Sequence, residues 1–228
     1  FAPAVAQRLR EQLLNALQVV IQYNRLRANP NLDPPPRTVL FAGKAAPAYH
    51  LAKVIIRLVA GIAKVVNADP ATRGKLRVEF LPNYSCTLAE RLIPAADVSE
   101  QISTAGYEAS GTSNMKFMMN GALTVGTRDG ANIEIAEEVG EENCFMFGLT
   151  ADQVLGGRGW YSPRWHYENE PETRDALDLI FSNHFCSDDP GAFEVIRDTL
   201  LTGGDYYMHL ADLTGYVETQ QKVSALYK

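Results

Sequence analysis

The chain has 228 residues, of which 46% are apolar, and its formal net charge is −6. A chain of this length can bury a substantial core. The charge is spread without a basic block, which argues against binding to nucleic acid or to a membrane surface. Three widely spaced cysteines, Cys86, Cys144 and Cys186, form no CxxC pair and indicate reduced thiols. No apolar run approaches the roughly 20 residues of a membrane span, so we expect a cytoplasmic or plastid-stromal location.

In chain order, helical periodicity predicts a long helix over residues 4–27, which the proline-rich segment 30–36 ends. An apolar strand over 37–43 and a helix over 48–67 follow. The alternation continues with strands at 76–81, 97–103, 122–127 and 144–149, and with helices at 87–96, near 114 and at 132–140. This order predicts an α/β protein with a doubly wound, Rossmann-like parallel sheet, in one domain spanning residues 1–228.

The alternating pattern weakens beyond Asp152. Residues 156–172 are polar and aromatic, and we interpret them as a surface excursion that packs over the helices. Three helices are predicted after it, at 173–185, 191–201 and 212–228.

In doubly wound sheets, ligands bind beyond the carboxyl ends of the strands. This rule selects three segments: AGKAAP after the first strand, PNYS after the second and EASGTSNMK after the third. Lys44 in the first segment does not belong to a nucleotide P-loop, because the GxxxxGK[ST] pattern is absent. All three segments are expected to line one crevice.

The segment EASGTSNMK spans Glu108 to Lys116 and is suited to holding a phosphate. Small residues let backbone N–H groups approach a ligand, and a helix that begins near Asn114 would attract an anion. A lysine whose pKa is lowered by partial burial can form a Schiff base with an aldehyde. A phosphate cradle beside such a lysine is typical of a pyridoxal phosphate site. The alternative is an ordinary helix cap with a solvent-facing lysine.

Other side chains favour structural interpretations. The four histidines show no metal-binding spacing. Asp129 and Gly130 give a strong turn signal. Four aromatic residues of the 156–172 segment could stack on a sugar, although packing is favoured; they are Trp160, Tyr161, Trp165 and Tyr167.

Long motifs carry a resemblance to a known family. The run EQISTAGYEASGTSNMKFMMNGALTVGTRDGANIEIAEEVGEENCFMFG closely resembles the pyridoxal phosphate region of the α-glucan phosphorylases, which include the glycogen, starch and maltodextrin phosphorylases. GKAAPAYHLAK, RVEFLPNYSCTLAERLIPAADVSEQ and KVSALYK resemble the same family in the same order. The resemblance implies a GT-B glycosyltransferase fold, of which this chain is most of the C-terminal half.

The resemblance implies a role for each matching residue. Lys116 matches the lysine that carries pyridoxal 5′-phosphate as an imine. Thr112 and Ser113 match positions that hold the cofactor phosphate, and Tyr84 matches a tyrosine beside the cofactor ring. The positions that bind the glucosyl hydroxyls are matched by Glu108, Ser110 and Gly111.

The implied reaction is reversible phosphorolysis of terminal α-1,4-linked glucose to glucose 1-phosphate, with an α-1,4-glucan and inorganic phosphate as substrates and usually in a homodimer. Relatives carry a basic segment of the type VKRIHEYKRQLLN before their first long helix. In this chain Arg10 stands at a catalytic, phosphate-binding lysine position, whereas a Lys-Arg pair is replaced by Ala4 and Val5. Arg8 is an alternative replacement for that pair.

Family members are several times longer than this chain. We therefore expect the chain alone to be inactive or weak, and a cofactor-binding domain without catalysis is the alternative. A nucleotide-sugar glycosyltransferase of the same fold is a third interpretation, but such enzymes need no equivalent of Lys116.

Overall fold

The computed structural model describes the backbone of residues 2–227 and the side chains of residues 11–227. The strands of this part of the chain are β1 (Arg37–Ala42), β2 (Leu76–Leu81), β3 (Val98–Gln101), β4 (Leu123–Thr127) and β5 (Phe145–Phe147). The helices are α1 (Ala2–Ala28), α2 (His50–Ala68), α3 (Cys86–Leu92), α4 (Ser113–Met119), α5 (Ala131–Val139), α6 (Ala151–Gly157), α7 (Pro163–Asn169), α8 (Pro171–Phe181), α9 (Glu194–Arg197) and α10 (His209–Ala225).

The strands are parallel, as the alternation of strands and helices predicts. Over the described residues they form two hydrogen-bonded groups, β1–β2 and β3–β4–β5. Each parallel neighbour in the chain is reached through a helix, which is the βαβ arrangement. The predicted α/β class with Rossmann-like parallel strands is confirmed, although hydrogen bonds do not join the two groups into one continuous sheet.

Helix α10 connects the two groups of strands. Gln220 accepts a hydrogen bond from Arg37 at the start of β1 and donates one to Glu100 in β3 at 2.7 Å. The Tyr216 hydroxyl donates to the other carboxylate oxygen of Glu100 at 2.9 Å. Burial beneath α10 raises the pKa of the Glu100 carboxyl. Its hydrogen bonds to Gln220 and Tyr216 lower that pKa and so oppose part of the effect of burial. This polar network fixes the position of β3 relative to β1.

The core forms around α1, which has contacts with α2, α8 and α10. The observed bounds of α1 agree closely with the predicted 4–27 because a proline-rich segment follows it. Leu13, Leu17 and Val20 are at most 1% exposed and occupy the inner face of the helix. Facing side chains from α2 and α10, such as Leu58 and Leu213, are equally buried.

The segment 156–172 contains structure that the sequence does not predict. α6 ends within it and α7 lies inside it. α6 begins at a capping box, in which the Thr150 side chain accepts from the Gln153 backbone and the Gln153 side chain accepts from the Thr150 backbone. Short helices of this kind depend on caps and tertiary packing, so periodicity alone does not reveal them. No helix of the described residues is long and apolar enough to cross a membrane.

A buried carboxyl on α10 predicts a specific pH dependence of stability. Burial raises the pKa of Asp212 to about 7; its hydrogen bond from the Leu149 backbone lowers it, and the nearby Asp205 raises it. Because the folded pKa exceeds the unfolded one, the folded state binds more protons between about pH 4 and pH 7. The free energy of unfolding should therefore fall as the pH rises from 4 to 7, and Asp212 should account for up to about 4 kcal/mol of this decrease.

Replacing Asp212 with asparagine should remove this contribution while keeping an acceptor for Leu149. Urea unfolding at pH 4 and at pH 8 measures the difference between the two proteins, in which the titration of all other groups cancels. The variant should gain stability relative to the parent at pH 8. If the free energy of unfolding depended on pH identically in the parent chain and in Asp212→Asn, the raised pKa of Asp212 would be contradicted.

Candidate functional site

The loop between β3 and α4, residues 102–112, carries half of the predicted site residues and leads directly into α4. Its first residues are fixed from two sides. The Thr127 hydroxyl at the end of β4 donates to the Ser103 carbonyl at 2.5 Å, and the Thr104 hydroxyl donates to the Tyr207 carbonyl at 2.8 Å. The loop is thus held between the carboxyl end of the sheet and the segment that precedes α10.

Asp129 holds the centre of this loop. Its carboxylate accepts hydrogen bonds from three successive backbone N–H groups: Gly106 at 2.9 Å, Tyr107 at 3.2 Å and Glu108 at 2.7 Å. The side chain is only 6% exposed. Sequence reasoning identified the turn signal of Asp129 and Gly130 but missed this positioning role. Its partners lie more than 20 residues earlier, so no local pattern could have indicated it.

Gly130 allows the loop to approach the start of α5. Its φ is +52°, and a Cβ atom placed there would lie 2.5 Å from the Ser110 carbonyl oxygen. The neighbouring Ala131 N–H donates to the same oxygen at 2.6 Å. Only glycine fits this position without displacing Ser110.

Helix α4 has a buried face and an exposed face. Asn114 is 2% exposed and donates to the Asn132 side chain at 2.9 Å. Asn132 in turn donates to the backbone carbonyls of Gln101 and Thr127, at 3.3 and 3.1 Å. These bonds attach the start of α4 to both β3 and β4.

The exposed face of α4 carries the predicted cofactor residues. Thr112, Ser113 and Lys116 are all exposed, and positions three and four residues apart lie on the same side of a helix. The Lys116 N–H donates to the Thr112 carbonyl at 3.4 Å, and the Ser113 hydroxyl donates to the Gln101 side chain at 3.0 Å. Of the two possibilities that the sequence leaves open for Lys116, the solvent-facing one is observed in this chain, because Asn114 occupies the buried face of α4.

The remaining predicted residues have different settings. Glu108, Ser110 and Gly111 lie in the loop that Asp129 and Gly130 hold, and Gly111 has a φ of +79°. Tyr84 is 44% exposed and follows β2, in the other group of strands. No hydrogen bond between described residues joins Tyr84 to the loop. Arg10 belongs to α1, but its side chain lies outside the described residues, as does that of Arg8.

An aromatic cluster packs against the loop from the α10 side. Tyr107 makes edge contacts with Tyr206 and Tyr207, with ring centroids 6.1 and 5.3 Å apart. The Arg158 guanidinium lies over the rings of Tyr107 and Tyr206, at 5.6 and 4.5 Å. Contacts of this kind stabilise the position of the residue next to Glu108.

The aromatic residues of the 156–172 segment divide into two groups. Tyr161 and Tyr167 donate to Asp205 and Asp178, at 2.8 and 2.7 Å. Trp160 and Trp165 are 80% and 56% exposed. Among the described residues there is no group of three or more side chains suited to a metal ion, and the expectation that the histidines are not ligands stays a prediction.

Parallel βαβ units and a tightly held loop beyond a strand's carboxyl end define an α/β protein of the class in which ligands bind at that end of the strands. The carbohydrate phosphorylase family matches this chain over residues 6–228. The chain therefore belongs to that family.

Individual relatives agree with this assignment. The human muscle form of glycogen phosphorylase is 53% identical over 221 residues, which is 96% of this chain and 26% of the relative. Glycogen phosphorylase of Chlamydia pneumoniae is 50% identical over 219 residues, 96% of this chain and 27% of the relative. The rabbit (Oryctolagus cuniculus) muscle form is 52% identical over 221 residues, which is 96% of this chain and 26% of the relative. The chain spans about a quarter of the length of these relatives.

Proposed function

We propose that this chain is the cofactor-bearing part of an α-1,4-glucan phosphorylase, which transfers terminal glucosyl units to inorganic phosphate and releases glucose 1-phosphate. The observation that carries the proposal is the two-faced helix α4. Its buried face is hydrogen-bonded to the strand ends, while its outer face presents Thr112, Ser113 and Lys116 together. Family membership and about 50% identity to glycogen phosphorylases support it.

Pyridoxal phosphate is the cofactor that fits this face. A lysine one helical turn beyond exposed backbone N–H groups can meet an aldehyde while those N–H groups bind a phosphate on the same molecule. When bound, the cofactor supplies a phosphate group that can exchange a proton with the substrate phosphate. In this proposal Lys116 anchors it, Thr112 and Ser113 bind its phosphate, and Tyr84 lies beside its ring.

The loop residues have a different task in this proposal. Glu108 offers carboxylate oxygens to sugar hydroxyls, and Ser110 and Gly111 offer further polar groups of the chain. Asp129 acts through them, because its three hydrogen bonds keep the Glu108 backbone in place. Arg10 is proposed to bind the substrate phosphate. A homodimeric parent protein and a cytoplasmic or plastid-stromal setting stay predictions.

A second candidate is a cofactor-binding domain without turnover. It is favoured by the replacement of a basic pair with Ala4 and Val5, and by the exposure of Lys116, Thr112 and Ser113. Phosphorolysis requires that water be kept away from the reacting glucosyl unit, since water would otherwise accept the sugar. A site that faces solvent does not meet this requirement.

We therefore expect no detectable glucose 1-phosphate when the 228-residue chain is incubated with maltodextrin, inorganic phosphate and pyridoxal phosphate. A coupled enzymatic assay measures the product, and Lys116→Ala supplies the background. Turnover that is robust in the parent chain and lost in Lys116→Ala would show that this quarter of the relatives suffices for the reaction.

A further inference from the structure

A cavity of about 710 Å³ lies apart from the loop that carries the predicted site. Its walls are the carboxyl-terminal halves of α1 and α10, and it reaches the first residues of β1 and β2. None of its described lining residues belongs to residues 102–112 or to α4. The volume is within the range of sites that bind small organic molecules, roughly 300–1,000 Å³.

Much of the wall is apolar. Leu26, Leu32, Pro34, Leu76 and Val217 contribute hydrocarbon surface from four different segments of the chain. A ligand with an aromatic or aliphatic body would remove this surface from water, which is the main favourable contribution in most small-molecule sites.

The charged side chains that line the cavity are all cations. They are Arg25, Arg37 and Lys75, and no Asp or Glu occurs among the described lining residues, although the chain as a whole has a charge of −6. Each cation is held in position: Arg25 by Glu172 at 2.5 Å, Arg37 by Ser224 at 3.1 Å and Lys75 by the Pro30 carbonyl at 2.7 Å. Arg25 has the least left to offer an anion, because its Nε and Nη2 both bond Glu172. Arg37 and Lys75 each keep a further N–H donor beyond these bonds.

Gln18 on α1 provides an independent observation. It lines the cavity and is only 2% exposed, yet its Nε2 has no hydrogen-bond partner among the described residues. Gln220 on the facing helix is equally buried, but it accepts from Arg37 and donates to Glu100. A buried amide donor without a partner has lost its bonds to water without replacing them, so a bound acceptor atom would remove this unfavourable contribution.

We propose that this cavity is a binding site for a small organic anion with an apolar body. The apolar walls would enclose the body, the cations Arg25, Arg37 and Lys75 would face the acidic group, and Gln18 Nε2 would donate to an acceptor atom of the ligand. The site is separate from the one proposed for phosphorolysis and does not depend on it.

The probe for this site is 8-anilinonaphthalene-1-sulfonate, which combines an aromatic body with an anionic acceptor group. Fluorescence titration of the 228-residue chain should show one saturable site. Gln18→Met keeps the length of the side chain but removes the donor, and it should weaken binding about five- to tenfold. Lys75→Met should weaken it two- to threefold, whereas Arg73→Met, an exposed cation two residues away, should not change it.

Two further measurements separate this site from general apolar surface. Neutral N-phenyl-1-naphthylamine has the same aromatic body without the sulfonate and should bind several-fold more weakly. In the absence of probe, Gln18→Met should be at least as stable as the parent chain, since it loses a buried N–H donor that has no partner among the described residues. Equal affinities of the parent, Gln18→Met and Lys75→Met for the anionic probe would overturn the proposal, as would marked destabilisation of Gln18→Met without probe.

Discussion

Replacing Asp129 with alanine is expected to lower the free energy of unfolding by about 3 kcal/mol. The substitution removes one buried carboxylate and leaves the N–H groups of Gly106, Tyr107 and Glu108 without their acceptor. Hydrogen bonds to a charged acceptor contribute about 1.5–3 kcal/mol each, but water can reach part of this loop and replace some of that loss. Urea unfolding measures the change in stability.

Amide hydrogen exchange locates the effect of Asp129→Ala. Gly106, Tyr107 and Glu108 should lose protection, whereas the β1 and β2 amides should keep it until global unfolding. Asp129→Asn keeps one acceptor oxygen and should lose less stability than the alanine variant. Asp152→Ala removes an exposed acid from the first turn of α6 and should cost under about 1 kcal/mol. A stability loss at Asp129 no larger than that at Asp152 would contradict the positioning role.

Gly130→Ala is expected to destabilise the chain by about 3 kcal/mol or more, because two costs combine. Alanine is strained at a φ of +52°, and its Cβ would lie 2.5 Å from the Ser110 carbonyl oxygen. The loop could remove the overlap only by moving Ser110 away from Ala131. Backbone chemical shifts of residues 108–111 should therefore change.

The matched control is Gly121→Ala. Gly121 also has a positive φ, +88°, but no atom lies within 4 Å of a Cβ placed there. Its substitution should cost only the backbone strain, about 1 kcal/mol. The difference between the two variants measures the close approach of Ser110 to Gly130, and equal costs would show that this approach has no energetic consequence.

The sequence predicts the elements whose stability is local. Helix α1 has an unbroken apolar face and a proline-rich end, and β1 and β2 are apolar runs of the right length, so pattern and structure agree. The sequence does not predict α7 because its segment, PRWHYEN, is short and has no apolar periodicity, although a proline at the first helical position is compatible with a helix start. Its position depends on contacts with α8, which follows it in the chain, and with α10, which is distant in sequence.

The candidate site shows the same division. The motif from Glu108 to Lys116 is continuous in the chain, so the sequence alone predicts a phosphate-binding segment beside a lysine. Asp129 could not be recognised in that way, because an Asp-Gly pair indicates a turn whether or not its carboxylate reaches another loop. The sequence also leaves open whether Lys116 is partly buried or faces solvent, because the answer depends on Asn114 and Asn132 pairing beneath α4.

Reductive labelling with pyridoxal phosphate tests whether Lys116 is the cofactor lysine. The 228-residue chain is mixed with pyridoxal phosphate and reduced with borohydride, and the modified residue is mapped by peptide mass spectrometry. Lys64, an exposed lysine on α2, provides the matched comparison through Lys64→Ala, and pyridoxal without phosphate tests the phosphate-binding residues.

We expect stoichiometric labelling at Lys116, loss of labelling in Lys116→Ala but not in Lys64→Ala, and much weaker labelling with pyridoxal. Scattered modification of surface lysines, or equal labelling by the two aldehydes, would contradict this role of Lys116.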